Sequence, residues 1–321
     1  MNSSANALVL TALAMALTAP ALGQSFPTKP VRLLVPFPPG GATDISARLV
    51  GAKMQEVWGQ AVVIESRPGA GTMAGTDAVA KSAPDGYTMG FVVTAHVINP
   101  SLRSKMPYDT LKDLSGVTQL SQQQIVMAAN NAFPANNIAE LIALAKKSGS
   151  KIQYATSGAG TALHLSAELL ATTAGIQLEH VPYKGGAQAV QDAIAGHVPI
   201  VMEIHYAAAS HIKAGKLKVL AMLSEKRTPF AREYPTVSET VPGVSAVSLI
   251  GLVVPSATPR DLVRRISADI SRAVKASDLT DKMVAQGMEP VGSTPEEFDA
   301  LIRTEIAKWA PVVKASGAKA D

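Results

Sequence analysis

The sequence contains no cysteine. Disulfides, thiolate metal centres and a cysteine nucleophile are therefore excluded, although export is not, since many exported chains lack cysteine. Charge is also sparse. Charged residues make up 17% of the chain, the formal net charge is +4, and no run of basic residues exceeds two, so charge supplies no argument for a nucleic-acid partner. After residue 23 no apolar run is long enough to span a bilayer. Several catalytic signatures are missing too. There is no GxSxG elbow and no GxxxxGK[ST] phosphate loop. The stretch GAGTMAG, Gly69 to Gly75, imitates part of a dinucleotide fingerprint, but it follows the loop ESRP instead of a strand, so no cofactor is expected. His164 and Glu168 stand four apart, and Glu203 and His205 two apart, with no third ligand in view. Ordinary side-chain pairs account for them, and no metal is expected.

What is present is apolar material in quantity. Hydrophobic residues form 47% of 321, enough for one large or two medium domains with a substantial core. The N-terminus carries ALVLTALAMAL, Ala7 to Leu17, followed by APALGQS with Ala21 and Gly23 in a small-x-small arrangement. This reads as a signal peptide over residues 1–23, cleaved near Gly23, although no Lys or Arg precedes the apolar run. The expected location is outside the cytoplasm, in the periplasm. The alternative is a buried N-terminal helix.

Strand and helix patterns alternate along the remainder. VRLLV, AVVIE, YTMGFVV, IVMAA, KIQYATS, LEHVPY, VPIVME, LKVLAML and GLVVP read as short strands. IAELIALAKKSG, LHLSAELLATTAG, AQAVQDAIAG and TPRDLVRRISADISRAVKAS read as helices. Many strands lack a polar face, which predicts an α/β fold of mostly parallel sheets with helices on both sides. APDGY, Ala83 to Tyr87, is a turn, and NNAFPANNI, Asn130 to Ile138, is a loop ending in a helix cap.

Two strand–loop–helix units echo each other: VRLLV–PFPPGGATD–helix and KIQYA–TSGAGTA–helix. A helix N-terminus presents unpaired N–H groups and the positive end of the helix dipole, which suits an anion. In the first loop Gly40 and Gly41 remove side chains that would hold a ligand off the backbone. Its prolines fix the chain's approach. Thr43 caps the helix or donates its hydroxyl, and Asp44 favours the dipole or accepts from a ligand. The second loop offers Thr156, Ser157, Gly158, Gly160 and Thr161, with His164 one turn into the helix. Either loop alone is equally a tight strand–helix turn. Two of them suggest a small anion held between two lobes, at the sheet edge where α/β folds bind ligands. Lys184, before Gly185 and Gly186, either contacts that anion or is a solvated turn lysine. Two anion seats without a catalytic set favour binding over catalysis.

The strings FPTKPVRLLVPFPPGGATD, SRPGAGT, APDGYT, INPSL, PYDTLKD, YATSGAGTALHL, HVPYKGGAQAVQD, HIKAGKLKVLA, REYPTVSE, GLVVPSATP, PVGSTPEEF and KWAPVVKASG occur in this order over nearly the whole mature chain. In this the sequence resembles the Bug-type receptors of tripartite tricarboxylate transporters, which are extracytoplasmic solute-binding proteins. The resemblance implies a periplasmic-binding-protein-like Venus flytrap: two α/β lobes joined by two crossing segments, with the ligand in the interlobe cleft. Lobe 1 is expected at 24–124 and 247–321, and lobe 2 at 125–246. The resemblance implies no enzymatic activity and no cofactor. It implies a small carboxylate ligand (dicarboxylate, tricarboxylate or aromatic acid), a membrane permease of large and small subunits as partner, and a monomer. Its ligand residues, carried onto this chain, are Phe37, Gly40, Gly41, Thr43 and Asp44, then Thr94, Ala95 and His96, then Ser157, Gly158, Gly160, Thr161 and His164.

One place departs from the family. Many relatives carry Asp-Asn after the strand that here reads VPIVME, whereas this chain has Glu203-Ile204 followed by His205 and Tyr206. Glu203 is longer and suited to a cationic or hydroxyl group, and Ile204 removes an amide. That tilts the expectation away from citrate, toward an apolar or aromatic ligand body. Two other functions fit the same sequence: a binding protein that feeds a sensor kinase, and an exported α/β enzyme acting on a carboxylate.

Overall fold

Starting at the first strand, β1 (Val31–Val35) leads into α1 (Ala42–Trp58), then β2 (Val62–Ser66), α2 (Met73–Ala80), β3 (Thr88–Val93) and α3 (Ala95–Leu102). A single 3-10 turn, Ala70–Thr72, precedes α2. The middle of the chain holds β4 (Leu114–Asn130), α4 (Ile138–Ser148), β5 (Ile152–Thr156), α5 (Ala162–Ala174), β6 (Leu178–Pro182), α6 (Gly186–Ala195), β7 (Ile200–Ile204), α7 (His205–Lys213) and β8 (Leu217–Met222). β9 (Val247–Pro255), α8 (Arg260–Val274), α9 (Ser277–Val284), β10 (Glu289–Pro290) and α10 (Pro295–Ser316) complete it. The structure is a computed structural model describing residues 26–39, 42–148, 151–229 and 231–318. The signal-peptide reading over 1–23, and Gly40 and Gly41 of the first loop, fall outside the described residues.

The strands follow one path, β2-β1-β3-β9-β4-β7-β5-β6, with β8 and β10 also pairing with β4. The result is two α/β lobes that share β4. Pairing is parallel in the outer sets, β1 with β2 and β3, and β5 with β6 and β7. The predicted parallel sheets are therefore present, but at the centre β4 and β9 pair antiparallel to all their neighbours. The reason is connectivity. β9 brings the chain back between β3 and β4 against the direction of both, which no helical crossover imposes.

Why the parallel strands are apolar throughout is plain from burial. Val31 and Val35 of β1 and Met89 of β3 are wholly buried, since helices cover both faces. The loop NNAFPANNI ends as predicted, with the Asn137 side chain accepting the Glu140 N–H at 2.9 Å to cap α4.

β4 is longer than the pattern IVMAA suggested. It runs for 17 residues, and its first part, LSGVTQLSQQQ, is too polar to read as a buried strand. Most of that stretch is nonetheless buried, and several of its polar side chains are bonded. Thr118 and Ser121 are fully covered. The Thr118 hydroxyl donates to the Ser293 carbonyl at 2.7 Å, and the Gln122 and Gln124 amides donate to Glu289 Oε2 at 3.0 and 2.8 Å. The C-terminal segment thus supplies the partners that a polar strand needs inside a protein. Along β4 the partner changes in one step: Gln124 is the last residue opposite β9, facing Val247, and Ile125 is the first opposite β7, facing Ile204.

α10 begins at a Thr294–Glu297 capping box with Pro295 in its first turn. It packs on α3, β4 and α5, and its Trp309 is completely buried, the indole N–H donating to Glu305 Oε2 at 2.8 Å. Among the described residues no helix is long and apolar enough to cross a membrane.

Candidate ligand-binding site

Strand–helix junctions of α/β sheets leave helix N-termini at one edge. Here three such junctions face a single cavity of about 450 Å³, lined by Thr43 at the start of α1, Ala95 at the start of α3 and Ala162 at the start of α5. Each helix start carries unpaired N–H groups and the positive end of a dipole, so the cavity is electropositive without needing many cations. Phe37, from the loop after β1, closes one side, and its carbonyl accepts the Ser66 hydroxyl.

The second loop is held in shape by its own side chains. The Gly158 N–H donates to Thr156 Oγ1 at 3.1 Å, and the Thr161 hydroxyl donates to the Gly158 carbonyl at 2.8 Å. Thr161 also caps α5 by accepting the His164 N–H at 3.3 Å. Gly158 and Gly160 have φ of +147° and +72°, both in the left-handed region that glycine tolerates. Ser157, Gly160 and Thr161 line the cavity.

His164 lies beneath this loop and does not line the cavity. Its Nδ1 accepts the Gly160 N–H at 3.0 Å, so the ring is neutral at that atom and shapes the loop from below. It stacks on His180 with ring centres 3.9 Å apart and planes within 15°. Burial lowers both imidazoles to about 4; for His164 the neighbouring His180 acts in the same direction. Tyr154 stacks with both imidazoles, its ring centre 5.2 Å from His180 and 6.4 Å from His164, and donates its hydroxyl to Glu168.

From the strand ends come Thr94, Ala95 and Glu203, all at the cavity. Thr94 Oγ1 accepts the Leu249 N–H at 3.0 Å, tying the end of β3 to β9. Glu203 is 6% exposed, and burial raises its proton affinity. The remaining nominated residues lie elsewhere. The His96 ring faces a separate cavity of about 70 Å³ lined by Thr110, Asp299 and Arg303. Burial holds that imidazole at about 4. Asp44 is buried, off the cavity wall, and accepts from Arg48 at 2.8 Å. Gly158 shapes the loop without lining the cavity, and Lys184 is exposed away from it.

The cavity also contains residues that pattern alone did not single out: Gly71, Thr72, Asn99, Leu102, Arg103 and Ser248. The signal for the first two was the glycine run at 69–75, dismissed above as an incomplete cofactor motif. Gly71 has φ of +60° and its neighbours Ala70 and Thr72 also have positive φ. The Arg103 guanidinium packs against Gly71, where an added Cβ would overlap it. The Asn99 side chain donates to the Gly71 carbonyl at 3.0 Å. Arg103 is the single cationic side chain among the described lining residues. The described residues contain no cluster of three or more metal-ligating side chains.

The geometry can be set beside known proteins. The sequence pattern of the tripartite tricarboxylate transporter family receptor matches residues 46–318. BugT of Bordetella pertussis is 34% identical over 306 residues, covering 94% of this chain and 94% of BugT. Among solved structures, an R. palustris protein with adipate is 31% identical with a TM-score of 0.77, over 92% of this chain and 99% of that one. MatC of Rhodopseudomonas palustris, with bound malate, is 29% identical with a TM-score of 0.74, over 90% of this chain and 100% of that one.

Proposed function

The chain belongs to the tripartite tricarboxylate transporter receptor family, and from that premise we propose that it captures a small carboxylate in the interlobe cavity and delivers it to a membrane permease of large and small subunits. The observation that carries this reading is the convergence of α1, α3 and α5, by their N-terminal ends, on one cavity that also holds Arg103. Oriented N–H groups and one guanidinium form a seat for a carboxylate. Related proteins hold adipate and malate, and the acids considered for this chain are dicarboxylates, tricarboxylates and aromatic acids.

The ligand contacts in this reading come from Phe37, Thr43, Thr94, Ala95, Ser157, Gly160, Thr161 and Glu203, with Gly40 and Gly41 completing the first loop. His164, Gly158 and Asp44 act by shaping the loops. The lobes are 24–124 with 247–321, and 125–246; the change of partner at Gln124 and Ile125 supports that division. The chain acts as a monomer and carries out no reaction, a reading supported by His164 Nδ1 being occupied by the Gly160 N–H, which leaves it no role as a base at the cavity. Receptors of this family are periplasmic binding proteins, and the proposal puts this chain there after removal of residues 1–23.

The test is a thermal-shift screen of residues 24–321 against mono-, di- and tricarboxylates and aromatic acids, followed by calorimetry. A ligand at ~100 times its Kd adds about 2.7 kcal/mol of stability. A shift with a member of the panel supports the reading. No shift, together with no acid released on denaturing the purified protein, overturns it.

A further inference from the structure

We propose that the cavity takes a monocarboxylate whose far end carries a hydrogen-bond donor, a hydroxyl or an ammonium group, and that Glu203 receives that donor. This rests on the carboxylate-receptor reading above and, within it, sets a monocarboxylate against the di- and tricarboxylates named there.

Glu203 stands near the end of β7 on the cavity wall, 6% exposed. One carboxyl oxygen is used: Oε1 accepts the N–H of Ile204 at 2.7 Å. The other, Oε2, is buried and has no hydrogen-bond partner. On one side it lies against Gly186, the first residue of α6, where any Cβ would overlap it. Across the sheet, Val126 of β4 faces Glu203 and offers only methyl groups. Glu203 lines the cavity, and a small rotation of its carboxyl group would bring Oε2 to a donor held there. A buried carboxyl oxygen without a donor is costly, and its proton affinity is raised by burial accordingly.

The charge balance selects the donor's carrier. Among the described lining residues, Arg103 is the one cation and Glu203 the one acid. One cationic side chain together with the helix N-termini accommodates one carboxylate. A second carboxylate at the Glu203 end would set two like charges side by side. A hydroxyl or ammonium group in that place instead satisfies Oε2.

The experiment is calorimetry on residues 24–321 with two matched series of acids that differ only at the far end. The four-carbon series is butanoate, 4-hydroxybutanoate, 4-aminobutanoate and succinate. The six-carbon series is hexanoate, 6-hydroxyhexanoate, 6-aminohexanoate and adipate. The expected result is that the hydroxyl or ammonium acid binds at least about tenfold more tightly than both the parent acid and the diacid, a ratio that one hydrogen bond to a charged group supports. Comparing the two donors identifies which is preferred. In Glu203→Met, where the volume is conserved, the preference disappears: within that variant the hydroxyl or ammonium acid binds within about threefold of the parent acid. In Glu203→Gln an acceptor remains, so the hydroxyl preference persists and the ammonium preference is lost. Each ratio is read within one variant, so a partial loss of folded protein cancels. Tightest binding by the diacid in either series, or a preference that survives Glu203→Met, overturns the inference and leaves the receptor reading standing. Binding by no acid in these series or in the wider panel overturns both.

Discussion

Replacing Gly160 with alanine separates two costs that this structure places on one atom. The backbone there has φ of +72°. An L-residue in that region costs roughly 1–2 kcal/mol, with or without ligand. The new Cβ would lie 2.6 Å from Leu102 Cδ2 and 3.4 Å from Leu102 Cδ1. Leu102 is 7% exposed and has little room to yield, so the overlap costs about 1–3 kcal/mol. Gly160 sits in the loop after β5 and Leu102 at the end of α3, and both line the cavity. The backbone cost falls on the loop itself, whereas relieving the overlap displaces Leu102 from the cavity wall and so reaches the ligand. The first should appear in the melting temperature of the ligand-free protein as a loss of a few degrees. The second should appear in calorimetry as a Kd increased roughly 5- to 150-fold. Adding Leu102→Ala should restore most of the affinity without restoring the melting temperature lost to the backbone. Unchanged affinity in Gly160→Ala, or a loss that Leu102→Ala fails to relieve, refutes the argument that these two residues together shape the ligand's cavity.

Acid should destabilise the protein through its buried imidazoles. His96, His164 and His180 are lowered to about 4 by burial, so between pH 6.5 and 4 the unfolded chain takes up protons that the folded one refuses, and stability falls as pH drops. From pH 6 to 5 the three together should cost about 3 kcal/mol, measurable by urea denaturation, with His164→Gln removing about a third of the slope; a flat profile over that interval contradicts the burial argument. Arg103→Gln should raise the Kd of the best acid found in the screen by tenfold or more, since a charge-assisted hydrogen bond is worth about 1.5–3 kcal/mol; calorimetry showing equal affinity would remove Arg103 from the site. Trp309→Ala should cost about 3–5 kcal/mol in chemical denaturation, because the indole is wholly buried and bonded to Glu305; a loss below ~1 kcal/mol would mean that α10 is not integral to the core.

What the residue pattern made legible was local. VRLLV and KIQYA declare themselves as buried strands because apolar side chains on both faces need cover on both faces. The glycines of TSGAGT announce left-handed backbone, and Gly158 and Gly160 adopt it. What stayed hidden depends on partners distant in sequence. LSGVTQLSQQQ is polar, and only the arrival of Ser293 and Glu289, far along the chain, makes it a buried strand. His96 follows two cavity residues in sequence, yet it lines a separate cavity, and nothing in the string TAHV around it specifies that placement. Arg103 follows a helix with no motif of its own. Its place at the cavity comes from the close approach that Gly71 permits. Glu203 was visible as an unusual acid at a strand end, but its unsatisfied oxygen required the position of Gly186.

The strand β4 is the common property of both halves. Its early residues complete one sheet beside β9, and its later residues complete the other between β7 and β8. Each sheet uses its own stretch of that strand, Leu114–Gln124 beside β9 and Ile125–Asn130 beside β7 and β8, so a break at Gln124 would leave both pairings in place and sever only the continuous backbone that joins them. The first sheet also closes only when β9 returns from far along the chain to lie between β3 and β4, so no single stretch of sequence encodes that half.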